Sequence, residues 1–134
     1  MPRSAWLRRV ARRLRKDDGD ASLEALMIFP AALLIALLLA EAGNIYYAKT
    51  LATTAAREAI AGARGYGSST DEGLARADAL FARAPDSLLS PRVSVTSGAE
   101  RIEFTVTGKA QSVLGLNITV REHATGPVER WSNP

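Results

Sequence analysis

Four acids, Asp17, Asp18, Asp20 and Glu24, fall within eight positions of one another and are the densest group of hard oxygen donors in the chain. Their spacing faintly suggests a calcium loop, but Gly19 is misplaced for the turn of an EF-hand, so the group does not make a metal site. His123 is the single histidine and has no recognisable catalytic partner nearby in sequence. With no cysteine at all, thiolate and disulfide chemistry are excluded. Gly65 and Gly67 are not followed by the rest of a phosphate-binding fingerprint. Asn117, Ile118 and Thr119 fit a glycosylation sequon that has meaning only in a eukaryotic secretory pathway, and they fall in an expected strand. No catalytic constellation emerges and no cofactor is implied. The expectation is a protein of structure and assembly, not an enzyme.

The chemistry that remains belongs to Gly19, Asp20 and Glu24, because they stand at the head of a long apolar run. Residues 25–40 contain no charge, and the next charged residue is Glu41. At about 1.5 Å per residue those sixteen positions make roughly 24 Å of helix, a little short of a hydrocarbon core of about 30 Å. Leu23 and Ala21 before the run, with Ala42, Gly43, Ile45, Tyr46 and Tyr47 after it, extend the apolar character enough to span, and the two tyrosines suit a membrane interface. Glu24 is then a carboxylate at the edge of lipid, which by itself marks a functional position. A cut after Gly19 would make Asp20 the new N-terminus and Glu24 the fifth residue, so that the carboxylate could pair with the free ammonium of a neighbouring copy. Glycine at the cut leaves no side chain to obstruct a narrow cleft. Pro30 removes a backbone donor and is expected to kink the helix near Leu26.

These residues resemble a known pattern. Gly19, Glu24 five positions later and an apolar stretch are similar to the class III signal of type IV prepilins. Ala21, Ser22, Leu23, Glu24, Ala25 and Leu26, with Pro30, the leucine run, Glu41 and then Ala55, Ala56, Arg57, Glu58 and Ala59, resemble the TadE-like family. These are minor, pilin-like proteins of tight-adherence, Flp-type pilus systems in bacteria and archaea. The likeness covers residues 18 to about 64, and beyond it only the general run of strands matches. It implies processing after Gly19 by a prepilin peptidase, other pilin-like subunits and pilus assembly proteins as partners, and a place in or at the base of a surface pilus. Asp20 departs from the large apolar residue many prepilins carry there, and Ala25 departs from the Glu-Tyr pair of the major Flp pilin.

The charge distribution supports an anchored topology. Residues 1–19 carry seven Lys or Arg against two Asp, a balance of +5, and the remainder carries ten basic and twelve acidic residues, a balance of −2. The excess of positive charge beside the apolar run favours the cytoplasmic side, placing residues after Tyr47 outside. The high isoelectric point therefore belongs to the leader and does not point to nucleic acid. Trp6, Leu7, Val10 and Leu14 share one face of a helix whose other face is arginine, which would also allow the leader to lie on an anionic membrane surface. Two further readings stay open. Ala40, Glu41 and Ala42 form an A-x-A triplet at which a signal peptidase would release a secreted binding domain beginning at Gly43. Alternatively the chain is an uncleaved bitopic protein with an outer interaction domain.

Beyond the membrane the helical period persists. Leu51, Ala52, Ala55, Ala56, Ala59, Ile60 and Ala63 form a stripe of mostly small side chains, suited to close packing under the protein's own sheet and against neighbouring helices. Gly65 to Gly67 ends this helix, and Ser69 with Glu72 reads as a capping box for a short helix carrying Leu74, Ala77, Leu80 and Phe81 and stopped at Pro85. After Pro91 the period changes to two. Val93 and Val95, then Ile102, Phe104 and Val106, then Ile118 and Val120 alternate with polar residues, and residues 97–100 supply a hairpin turn. The third strand is expected over residues 117–123.

The expected fold is α+β: a long N-terminal transmembrane helix continuing outward, packed against a small antiparallel β-sheet in a pilin-like manner, plus a short helix. Its parts are a cytoplasmic leader at 1–19, a transmembrane helix at 20–47, its continuation at 48–64, an outer α+β domain at 65–127 and a tail at 128–134.

Overall fold

The computed structural model describes residues 21–65 and 67–128, together with the backbone of residues 3–20. Two helices precede three strands: α1 (Arg3–Ala63), α2 (Thr70–Arg83), β1 (Leu88–Ser97), β2 (Arg101–Ala110) and β3 (Thr119–Pro127). The chain divides into two units, Met1–Leu39 and Ala40–Pro134.

In the first unit α1 continues through Pro30 without interruption. Nearly every described side chain from 21 to 39 is exposed, including Leu26, Met27, Phe29 and Leu39. Among the described residues one helix, Ala21–Ala63, is long and apolar enough to cross a membrane, and its most apolar stretch is unburied.

The second unit is built on the other part of the same helix. Ala48, Ala52, Ala55, Ala56, Ala59 and Ile60 are buried, and Leu51 and Ala63 are half-buried beside them. The period of 3.6 puts these positions on one stripe, and the absence of bulk along it lets α1 approach the sheet closely. Thr50 and Thr53, off that stripe, donate their hydroxyls to the carbonyls of Tyr46 and Lys49, four residues back, at 2.9 Å.

The sheet is antiparallel in the order β1-β2-β3. On the central strand every even position from Ile102 to Ala110 is buried, giving the core Ile102, Phe104, Val106 and Ala110. Val120 extends that face on β3 and Leu88 on β1. The turn between β1 and β2 closes where the Gly98 N–H donates to the Arg101 carbonyl at 2.8 Å. β2 runs opposite to the outer part of α1. Its partner Gly126, across from Ile102, lies against Ile60 and Arg64. Its other end leads to the 111–118 connection at the level of Glu41.

Helix α2 crosses α1 at a pair of glycines. A Cβ on Gly73 would stand 2.5 Å from the Ala59 carbonyl oxygen and 2.9 Å from the Phe104 ring, and one on Gly62 would stand 3.1 Å from the Gly73 Cα. Ala77 and Phe81 bury the same face of α2, with Leu74 and Leu80 half-buried.

Several local expectations are corrected. Ser69 is the N-cap of α2 as the spacing indicates, but its side chain makes no capping bond; its carbonyl accepts the Glu72 and Gly73 N–H groups instead. Glu72 turns to Arg76, at 4.0 Å on the next turn, so the reciprocal box does not form. The first strand starts at Leu88, before Pro91 and not after it. A bulge between Leu89 and Arg92 absorbs the proline, with Ser90 at φ 49°, and β1 is an edge strand, where a missing N–H breaks no inner ladder. Val95, on that edge strand, is 37% exposed. The third strand runs to Pro127, so His123 lies within it, exposed, and Ile118 precedes it, half-buried.

Candidate functional site

Gly19 and Asp20 lie on the backbone of α1, and the Asp20 side chain is outside what the structure describes. Glu24 is exposed on the same helix among exposed Leu23, Leu26, Met27 and Ile28. A carboxylate within an apolar helix is costly in lipid and ordinarily faces other protein or water, which makes Glu24 a candidate functional position. Pro30 lies one and two-thirds turns later, inside the helix.

The alanines of the stripe are placed differently. Ala52, Ala55, Ala56 and Ala59 are wholly buried in the protein's own core, and Ala63 is half-buried at its end. Their small size is used inside the chain, where it brings α1 beneath the sheet and α2.

The residue that sequence reasoning did not single out as a site is Glu41. It is 4% exposed, and its Oε2 accepts the backbone N–H of Val113 at 2.8 Å and of Leu114 at 3.3 Å. Its Oε1 is buried with no hydrogen-bond partner among the described residues. The connection it holds is shaped from within: the Leu116 N–H donates to the Ser112 hydroxyl at 2.7 Å, and Gly115 takes φ 73°, a region in which a side chain is strained. The charged acceptor makes one short, strong bond, to Val113, and a longer one to Leu114, which together tie the 111–118 connection to the helix just where the uncharged run ends. The sequence signal was present as the first charge after sixteen neutral residues, but nothing local named its partners.

A shallow groove of about 350 Å³ lies between α1 and α2, lined by Thr54, Glu58, Arg76, Ala79, Leu80 and Arg83. It offers one carboxylate and two guanidinium groups beside Ala79 and Leu80. Among the described residues no three His, Asp or Glu side chains converge as a metal site.

No curated protein and no solved structure matches the chain. One family model does, that of the TadE-like proteins, over residues 19–60. The match begins at Gly19 and takes in Glu24, Pro30, Glu41 and the alanine stripe as far as Ile60. TadE-like proteins are associated with tight-adherence pili, and the matched segment holds most of the one described helix that is long and apolar enough to cross a membrane. Over residues 19–60, from the glycine before the apolar run to the end of the buried stripe, the chain is similar to the TadE-like proteins.

Proposed function

We propose that the chain is a pilin-like minor subunit, or a membrane-held assembly factor, of a tight-adherence type IV pilus. A prepilin peptidase cuts after Gly19, Asp20 becomes the N-terminus, and the transmembrane helix expected over 20–47 is narrowed to residues 21–40, because Glu41 and Ala48 are buried in the α+β unit, which lies outside the cytoplasmic membrane. Those twenty residues give about 30 Å of helix, the thickness of a hydrocarbon core. In the assembled state the Glu24 carboxylate pairs with the ammonium group of a neighbouring subunit, and the partners are other pilin-like subunits and pilus assembly proteins.

The observation that carries this reading is the change of environment along one helix. Up to Leu39 nearly all its described apolar side chains are exposed, and from Glu41 on the same helix is the spine of a folded unit. This arrangement suits a subunit that is held in a membrane until its helix is transferred to a fibre.

Release by a signal peptidase after Ala42 is disfavoured on the same ground. That cut would remove Glu41 and with it the acceptor for Val113 and Leu114, and it would open a helix inside the folded unit. The deciding experiment is the N-terminus of the native protein, read by mass spectrometry on membrane and secreted fractions kept apart. Asp20 at the N-terminus is expected. Gly43 in the medium would replace the pilin reading with a secreted domain, and an intact Met1 in the membrane would leave a plain anchored protein.

A further inference from the structure

The 111–118 connection exposes Val113 (53%), Leu114 (40%) and Leu116 (51%), three large apolar side chains within four positions. Between Lys109 and Arg121 the chain carries no charge. A solvent-facing turn of this length is ordinarily polar, and an exposed apolar cluster marks a surface that meets something apolar. Its place identifies what. Glu41 accepts the N–H groups of both Val113 and Leu114, so the cluster is held one residue beyond the last position of the uncharged run. Tyr46 and Tyr47, 74% and 56% exposed, lie within the next two turns of the same helix.

We propose that the 111–118 connection is a second membrane contact, with Val113, Leu114 and Leu116 seated in the outer headgroup and acyl boundary of the bilayer. The proposal rests on the reading of residues 21–40 as the span. A lipid boundary, and not a protein partner, fits the chemistry because the cluster is uncharged and is tied by a buried carboxylate to the helix position that directly follows the apolar run. Gly115 permits the turn that brings the three side chains out together. The Glu41 carboxylate fixes the level along α1 at which they are presented.

The chain has no cysteine, which makes a depth measurement direct. The full chain carrying Leu114→Cys, or separately Leu116→Cys, is labelled with a nitrobenzoxadiazole fluorophore. It is reconstituted at about one chain per vesicle in phosphatidylcholine and phosphatidylglycerol. Ser97→Cys, in the opposite turn of the sheet, and Leu34→Cys, in the span, serve as references. The expected result is several-fold stronger quenching by headgroup-linked nitroxide, and several-fold weaker quenching by aqueous iodide, at positions 114 and 116 than at 97. Iodide quenching at 114 and 116 equal to that at 97 would overturn the proposal. So would protection from iodide without quenching by lipid nitroxide, because protein would then cover the loop. If the label at 34 is also open to iodide, the span itself has failed; if 34 lies in lipid and 114 in water, only the second contact has.

Discussion

Oε2 of Glu41 lies 2.8 Å from the backbone nitrogen of Val113, across 72 positions of sequence. One oxygen thereby ties the last connection of the sheet to the helix at the point where the chain passes from its apolar run into the folded unit. Both the exposure of the 111–118 cluster and the argument against a cut after Ala42 depend on this contact.

Removing that carboxylate should loosen the connection before it unfolds the sheet. In Glu41→Leu the amides of Val113 and Leu114 lose their acceptor and should exchange hydrogen on the order of tenfold faster, with the β2 amides little changed. Glu41→Gln retains one acceptor oxygen and should fall between the two. Hydrogen exchange read by mass spectrometry over residues 111–118 checks this, and equal exchange in all three proteins would show that the contact does not hold the loop.

The glycine crossing of α1 and α2 should not accept a methyl group. Alanine is the better helix former by about 1 kcal/mol, so Gly73→Ala would stabilise an isolated helix. Its Cβ, however, would sit 2.5 Å from the Ala59 carbonyl oxygen, a backbone atom that cannot swing aside. Overpacking of about 1–3 kcal/mol is expected to win, and thermal unfolding should show a lower midpoint. An unchanged or raised midpoint would mean that α2 can shift away from α1.

Phe104 is the largest wholly buried side chain of the sheet. Phe104→Ala should cost about 3–5 kcal/mol, a large share of what a small unit without disulfides can spare. The loss should appear in chemical denaturation of the full chain in detergent, as loss of the sheet's far-ultraviolet signal at lower denaturant. The helical signal of residues 21–39, a separate unit, should persist.

Glu24→Leu makes the apolar stretch more hydrophobic, so insertion into membranes should be unimpaired while pilus assembly fails. Fractionation and counts of surface pili test the two halves separately. Normal pilus number in this variant would remove the charge-pairing role. Gly19→Leu should leave the N-terminal extension uncut, detected as a heavier membrane-bound chain.

The sequence determined what depends on the order of residues along one segment. The apolar run, the stripe from Leu51 to Ala63 and the alternation of Ile102, Phe104 and Val106 are local periodicities, because a helix or strand repeats its faces at a fixed spacing whatever it packs against. The Gly19 and Glu24 pattern and its family likeness are legible for the same reason. The tertiary structure alone decided matters that turn on what stands opposite. Ser69 and Glu72 have the spacing of a capping box, yet Glu72 pairs with Arg76. Pro91 reads as the stop before a strand, but an edge position let a bulge take it in. The alanine stripe allowed packing within the chain or against neighbours, and the sheet above it placed four of its alanines wholly in the protein's own core. Glu41 showed only a charge after a neutral run. Its two donors lie on a loop more than seventy residues away, and no local pattern encodes an encounter that folding must first create.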